Sequence, residues 1–410
     1  MINDMDRNER LQSQLERLQS TLNRAFRNVP FHQSRFRAAG IDPGEIGAVE
    51  DLAKLPFMRR GDLGDHYPYG LFAVPLRDIV RIHTAPGTSR NPSISGYTRQ
   101  DLSVWQRIIS DSLAAAGVTP NDILQIQLDP GLANWARDYR DGTETLGAGV
   151  IPGSQLSIEK RLMVLKDYMT TVLITTPAGA LELAEYMYRN GIHPNGFNLR
   201  TLILVGEPAA AAEKRKLEEM LHVTTWQHYG LSEIPGPAIG FECGRHAGLH
   251  LHEDHIIAEI TDPQTGAPVP DGETGELVLT TLTARAFPLI RFRTGDRARK
   301  IKEPCPCGDN RMRIDWLPER MDDLMIICGV KVDKQQIRDQ IEGAFGPALP
   351  DYRFLKTSYN FRDLLEIRIR IDQRFFSDEI KDLEKIRSDT AERLTDNLGI
   401  PVSVVLCETV

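Results

Sequence analysis

Between residues 80 and 320, short β-rich runs alternate with helix-length amphipathic segments, and few folds accommodate that alternation. The runs are Ile123–Gln127, Thr171–Thr175 and Thr201–Val205. The helical segments around them are Gln100–Ala116, Ile158–Met169, Ala178–Asn190 and Ala210–Leu221. Apolar strands separated by helices form parallel sheets covered by those helices, because a parallel crossover needs a dozen or more residues. After Cys243 the pattern changes. Ile256–Thr261, the Pro263-Gln-Thr-Gly266 turn and Gly275–Thr281 read as antiparallel strands joined by Gly/Pro turns. A further unit begins near Arg320, with strands expected over 352–358 and 364–371, a helix over 377–396 and a last strand at Val402–Leu406. The expected fold class is α/β. A large N-terminal domain (1–320) combines a layered α/β part with a β subdomain at about 240–318, and a small C-terminal α+β domain (321–410) follows.

Leu11, Leu15, Leu18, Leu22 and Phe26 form one apolar stripe on a helix over 8–27. Packing on its own domain is the preferred reading; a homodimer seam is the alternative. Apolar residues make up 41% and charged residues 26% of 410, an ordinary globular balance that excludes a disordered or fibrous chain. Acidic residues outnumber basic ones 57 to 49, and no basic run interrupts that excess, so nucleic acid is not an expected partner. No apolar stretch reaches the ~18–20 residues of a spanning helix. The polar start lacks a signal-peptide core, so a cytoplasmic protein without membrane partners is expected. The five cysteines are too sparse for a disulfide framework.

Several segments carry chemistry. Thr84-Ala-Pro-Gly-Thr-Ser-Arg-Asn-Pro92 places Gly87, Thr88 and Ser89 in a tight loop whose N–H groups can wrap phosphate, although a plain hairpin turn has the same composition. It lacks the Gly-Lys-Ser/Thr of a Walker loop. Thr225-Trp-Gln-His-Tyr-Gly-Leu-Ser-Glu233 runs from a strand into Pro235-Gly-Pro237. Phe292-Arg-Thr-Gly-Asp296 and Arg320-Met-Asp-Asp323…Gly329-Val-Lys-Val332 follow. Singly these read as a helix cap, a turn and a surface charge. In this order and spacing they resemble the adenylate-forming superfamily of acyl and aryl coenzyme A ligases.

The resemblance is closest to the phenylacetate–coenzyme A ligase family and runs from about residue 10 to the end. It rests on Lys54-Leu-Pro-Phe57, Tyr69-Gly-Leu-Phe-Ala-Val-Pro75, Leu146-Gly-Ala…Val150-Ile-Pro152, Glu207-Pro208, Gly248-Leu-His…Glu253-Asp-His255, Asp271-Gly-Glu…Gly275-Glu-Leu-Val and Cys305-Pro-Cys-Gly308. It implies an acid–coenzyme A ligase that adenylates an aryl or substituted carboxylic acid with ATP and Mg²⁺, then forms the coenzyme A thioester. Tyr229 would stack on adenine, with Gly206, Glu207, Pro208, His228 and Gly230 lining the nucleotide pocket. Asp296 would accept the ribose hydroxyls and Arg320 would reach the ribose or phosphate. Ser232 and Thr88 would face phosphate, Glu233 would hold Mg²⁺, and Asp322 would be the hinge. The acyl pocket would use Trp135, Tyr139, Arg140, Ala178 and Gly230.

The sequence also departs from the family pattern. Arg90 and Asn91 stand where members carry Gly-Lys in the phosphate loop. Arg140 falls on a histidine position, and Trp135, Arg137 and Tyr139 make the acyl pocket bulkier and more cationic than one built for phenylacetate. The last lysine is Lys385, whereas members continue into a segment with a catalytic Gly-Lys. The expectation is an impaired adenylation step. An acyl transferase between coenzyme A and a phosphopantetheinyl carrier protein, or a non-catalytic homologue, is the alternative.

Cys243-x6-His250 and Cys305-x-Cys307 supply three sulfurs and one imidazole, the complement of a closed tetrahedral zinc site. Thiols without metal are the competing reading, and His246, His252 and His255 compete for the histidine place. The family's Gly-Leu-His favours His250. A full set of four protein ligands implies a structural role for the zinc. Cys328 and Cys407 read as packed thiols.

Overall fold

The first helix shows how local sequence sets local structure. In α1 (Arg7–Asn28), the Asp6 carboxylate caps the N–H groups of Asn8 and Glu9 at 2.6 and 2.9 Å, and Glu9 reaches back to the Asp6 N–H at 3.2 Å. Leu18, Leu22 and Ala25 bury against Phe36 of α2 (Pro30–Ala38) and against Ile257 and Ile290, so this part of the stripe packs on its own chain, whereas Leu11 is exposed. The computed structural model describes residues 5–85, 93–151, 156–234, 236–345, 351–359, 362–370 and 380–407. After α3 (Arg60–Asp65), an antiparallel hairpin of β1 (Arg81–Ala85) and β2 (Ser93–Tyr97) flanks the expected phosphate loop. Gly87, Thr88 and Ser89 themselves lie outside the described residues.

The expected alternation follows: α4 (Arg99–Ala115), β3 (Ile123–Gln127), α5 (Ala133–Leu146), β4 (Gly149–Ile151), α6 (Ile158–Asp167), β5 (Val172–Thr175), α7 (Pro177–Arg189), β6 (Thr201–Leu204), α8 (Ala211–Leu221) and β7 (Thr224–Tyr229). Strands β4, β3, β5, β6 and β7 pair in that order, all parallel. Helix α5 was not legible in the sequence. Its buried face alternates apolar with polar groups (Trp135, Asp138, Tyr139, Asp141, Gly142), which hides the helical period.

The antiparallel strands form as expected, but not as a separate layer. They are β8 (Gly240–Glu242), β9 (Leu249–Leu251), β10 (Ile256–Thr261), β11 (Thr274–Thr281), β12 (Phe292–Ile301) and β13 (Arg313–Arg320). Antiparallel pairing of His228 with Phe241 joins them to β7, giving one eleven-stranded sheet among the described residues. Residues Gly275–Thr281 are buried throughout, because this half of the sheet is also covered on both faces.

Beyond Arg320 come β14 (Leu324–Ile327), β15 (Val330–Asp333), α9 (Lys334–Phe345), β16 (Tyr352–Tyr359), β17 (Arg362–Arg370), α10 (Ile380–Leu398) and β18 (Val402–Cys407). The sequence reading did not foresee α9. Strands β16, β17 and β18 form a second sheet, with α10 as the crossover to the parallel β18. No gap in the core marks the expected boundary at 320: Ile327, Val330, Ile367 and Val404 join the cluster that contains Leu132 and Trp135. No helix among the described residues is long and apolar enough to cross a membrane.

In the parallel half, β3 lies between β4 and β5, so the chain winds away from β3 in opposite directions. Ligands of open α/β sheets bind at such a switch point, beyond the carboxyl ends of the strands. A cleft of about 540 Å³ lies there, lined by Gln127, Asp129 and Thr176 on the sheet side and Gly399 and Pro401 on the other. Ile203, fully buried in β6, tests the sheet core. Ile203→Ala is expected to cost about 2–5 kcal/mol, read as a lowered thermal midpoint; a variant that melts with the wild type would place Ile203 outside the core.

Candidate functional site

The site is built on a buried carboxylate. Asp296 on β12 pairs in register with Arg320 on β13 and is 1% exposed. Tyr229, at the end of β7, donates its hydroxyl to Asp296 Oδ2 at 2.9 Å, and Lys331 on β15 donates Nζ to the same oxygen at 3.0 Å. Arg320 donates Nη1 to Oδ1, and its Nε reaches Asp322 Oδ1 at 2.6 Å. Burial disfavours the Asp296 charge, yet Lys331 and Arg320 hold its carboxyl below the usual range. Burial draws the Lys331 ammonium down to about 8, with Asp296 resisting. Tyr229 is wholly buried and meets Trp316 edge-on, with centroids 4.8 Å apart.

Glu233 lies across a small cavity from this group. The cavity, about 20 Å³, is lined by Arg60, Trp135, Ser232, Glu233, Gly329 and Lys331. The Glu233 side chain is 1% exposed and paired with Arg60 through Oε1, while Oε2 has no partner. Next to Gly230, the His228 ring stacks on Tyr139 and shares a 2.8 Å Nδ1···Oη hydrogen bond. Burial lowers this imidazole to about 4 and keeps it neutral. Glu207 follows β6, where Oε1 accepts the Ala178 N–H at 3.4 Å and Oε2 accepts Lys356 Nζ at 3.4 Å. Burial raises its carboxyl to about 7, against the pull of Lys356.

The unit after Asp322 reaches this site by close backbone contact. A Cβ on Gly206 would lie 2.8 Å from Gly329 Cα, and one on Gly329 would lie 2.8 Å from Thr176 Cγ2; both glycines also have positive φ. These approaches bring β15 and Lys331 into the cavity.

Of the expected nucleotide-facing residues, Gly206 and Gly230 line the cavity, Tyr229 and Arg320 meet on Asp296, His228 pairs with Tyr139, Glu207 bonds Ala178 and Lys356, and Pro208 lines a different cleft beside Gln227. Trp135 and Gly230 line the cavity, and Ala178 sits beneath Glu207. Arg140 is not brought to the pocket. It points outward, 38% exposed, and pairs with Asp141 at 2.6 Å and Glu144 at 3.9 Å. Its charge therefore cannot make the pocket cationic. Sequence reasoning missed two cations at the cavity, Arg60 and Lys331. Lys331 lies within a quoted motif and Arg60 just beyond another, but neither motif marks them as buried.

The Cys243, His250, Cys305 and Cys307 donor atoms all lie within 4.8 Å of one another. Cys243 Sγ is 3.6 Å from Cys305 Sγ, and Cys307 Sγ is 3.5 Å from His250 Nε2. Tetrahedral zinc ligands at ordinary bond lengths stand about 3.7 Å (S···S) and about 3.5 Å (S···N) apart. The free Nδ1 of His250 faces Asp309 at 3.9 Å. His252 is turned to Ser112 and His246 to Glu242 instead.

Comparison with known proteins agrees with this geometry. Residues 146–283 match the AMP-binding enzyme family. The chain is 36% identical over 406 residues to a phenylacetate–coenzyme A ligase of Thermus thermophilus, covering 96% of this chain and 91% of that protein. It is 39% identical over 331 residues to a phenylacetate–coenzyme A ligase of Pseudomonas putida, covering 80% and 75%. The chain belongs to the phenylacetate–coenzyme A ligase family. Among solved structures, a 2-hydroxyisobutyryl-CoA ligase with 2-HIB-AMP and CoA in the thioesterification state is 25% identical, covers 98% of this chain and 87% of that one, and has a TM-score of 0.90. The same ligase in its postadenylation state scores 0.72 at the same identity and coverage. At equal identity and coverage, this chain superposes better on that ligase's thioesterification-state structure than on its postadenylation-state structure.

Gly329→Ala tests the closed arrangement. The added methyl is expected to push β14–β15 off Gly206 and Thr176 and to raise the radius of gyration in small-angle X-ray scattering. A scattering profile identical to the wild type would show that these glycines do not limit the approach.

Proposed function

We propose that this protein is an ATP-dependent ligase that adenylates an aryl carboxylic acid and then forms its coenzyme A thioester. Lys331, bonded to the Asp296 carboxylate that Tyr229 and Arg320 also hold, lines the same cavity as Ser232 and Glu233, and this juxtaposition carries the reading. Asp296 offers a charged acceptor for two vicinal ribose hydroxyls. The substrate carboxylate oxygen attacks the α-phosphorus of ATP, forming an O–P bond and releasing pyrophosphate. Glu233, with one unpartnered oxygen, would hold Mg²⁺, whose charge offsets that of the phosphates. Arg60 would give up Glu233 when the ion binds.

The thiol of coenzyme A then attacks the acyl carbonyl, and AMP leaves. For this step the unit from about residue 321 onward turns about Asp322 into the arrangement described above. The cleft between Gln127, Thr176 and Gly399 would give the thiol arm a route alongside Gly179. ATP–pyrophosphate exchange with a panel of aryl acids tests the reading. Exchange with at least one acid is expected, and Glu233→Gln should lower it by about 10²–10³-fold. Absence of exchange with every acid would overturn the ligase assignment; undiminished exchange by the variant would remove Glu233 from the metal role.

The Cys₃His set fits structural zinc by donor chemistry and by spacing. It would clamp the loop after β8 to the segment between β12 and β13. One zinc per chain is expected by elemental analysis, and Cys305→Ser with Cys307→Ser should lose it and melt at lower temperature. Metal-free wild-type protein would contradict this.

A further inference from the structure

We infer that Asp138 is a specificity residue of the acyl pocket, whose carboxyl hydrogen-bonds a ring hydroxyl, so that the preferred substrate is a hydroxy-substituted aryl acid. The inference rests on the ligase reading and narrows its substrate. Asp138 lies on α5 one turn beyond Trp135, which lines the cavity with Ser232 and Glu233. Side chains three apart share a helix face, and a helix rises about 1.5 Å per residue, so Asp138 stands about 4.5 Å further along that face.

Its hydrogen bonding is incomplete. Asp138 is 3% exposed; Oδ1 accepts from Arg81 Nη1 at 3.2 Å, and Oδ2 has no partner among the described residues. Arg81 also donates Nη2 to Asp141 at 2.7 Å, so its charge is shared between two carboxylates. Burial, and after it the charges of Asp138, Asp101 and Glu233, push the Tyr97 phenol up against its hydrogen bond to Ser95, so Tyr97 lies within reach of both Asp138 and Glu233. Tyr97 meets Trp105 edge-on at 4.8 Å, and the buried Trp105 Nε1 has no partner either. A Cβ on Gly236 would lie 2.5 Å from that Nε1, and one on the cavity residue Gly230 would lie 2.5 Å from the Gly236 carbonyl. The incompletely bonded polar groups thus adjoin the cavity wall on both the α5 side and the Gly230 side.

A buried polar group without a partner is destabilising, and a ligand that completes its hydrogen bonds removes the penalty. The carboxylate of the acid would lie toward Ser232 and Glu233, where it attacks the α-phosphorus, so its ring would pass Trp135 and Gly230 with its far edge toward Asp138. Burial raises the Asp138 carboxyl well above its usual range, with Arg81 opposing and Asp141 reinforcing the rise. A hydroxyl suits either form of this group. Its O–H donates to a carboxylate, and its oxygen accepts from a carboxylic acid. An unsubstituted ring offers neither and leaves Oδ2 unpaired, so the pocket discriminates against it.

ATP–pyrophosphate exchange by the full chain tests this, read as kcat/KM for benzoate, phenylacetate and their ring-hydroxylated analogues. At least one hydroxy acid is expected to exceed its unsubstituted parent by about 10²-fold. Asp138→Leu should bring that ratio to within about threefold, chiefly by lowering kcat/KM for the hydroxy acid. Asp138→Asn, which keeps a hydrogen-bonding group of the same shape, should retain most of the preference. Exchange with the parent acid reports that each variant is folded. A wild type in which no hydroxy acid exceeds its parent, or a preference that survives in Asp138→Leu, would overturn the inference. Loss of exchange with every acid in both variants would overturn it too, by reducing Asp138 to a structural partner of Arg81. A wild type that exchanges with no acid at all would instead overturn the ligase reading.

Discussion

One buried carboxylate ties this molecule together. Asp296 accepts from Tyr229 on β7, Arg320 on β13 and Lys331 on β15, so three elements distant in sequence meet on a fourth. Burying a charge is costly unless it is paired and hydrogen-bonded, and here two cations and a phenol do both. The partners lie on either side of Asp322, with Arg320 before it and Lys331 after it. The group that would receive the ribose is thus also the group that fastens the C-terminal unit in place. A ligand that takes Asp296 must loosen that fastening, which couples occupancy of the site to arrangement of the chain.

The rest of the fold serves this junction. The sheet changes from parallel to antiparallel between β7 and β8, within a strand of the residues that line the site. The parallel half supplies a switch point with open carboxyl ends, and the antiparallel half supplies Asp296 and Arg320 on paired strands. Contact between the two parts combines close glycine approaches, Gly206 against Gly329 and Gly131 donating its N–H to Gly399 at 3.3 Å, with apolar packing of Ile327 and Val330 in the cluster of Leu132 and Trp135.

Much of this was legible in the sequence because it is local. The α1 stripe, the parallel strands and the turn-rich antiparallel run each follow from periodicity and punctuation. The Cys₃His set was legible from ligand chemistry, since four such residues in two close pairs suit few other purposes. Features that depend on distant pairing were hidden. The β7–β8 pairing joins the antiparallel strands of the expected β subdomain to the parallel strands in one sheet, and no pattern in either strand encodes it. The burial of Arg60 and Lys331 arises only when α3 and β15 meet the same cavity. Arg140 was expected in the pocket because it falls on a family histidine position, but its guanidinium pairs with Asp141 and Glu144 and is 38% exposed.

Calorimetric titration with a non-hydrolysable acyl-sulfamoyl adenosine tests the central claim most directly, because it asks whether Asp296 is both ribose acceptor and anchor. The wild type should bind it, and Asp296→Asn should bind it about 10²-fold more weakly, as expected when charge-assisted hydrogen bonds of about 1.5–3 kcal/mol each are weakened. Equal affinity of the two proteins would mean that the buried carboxylate organises the fold alone and that the nucleotide site lies elsewhere.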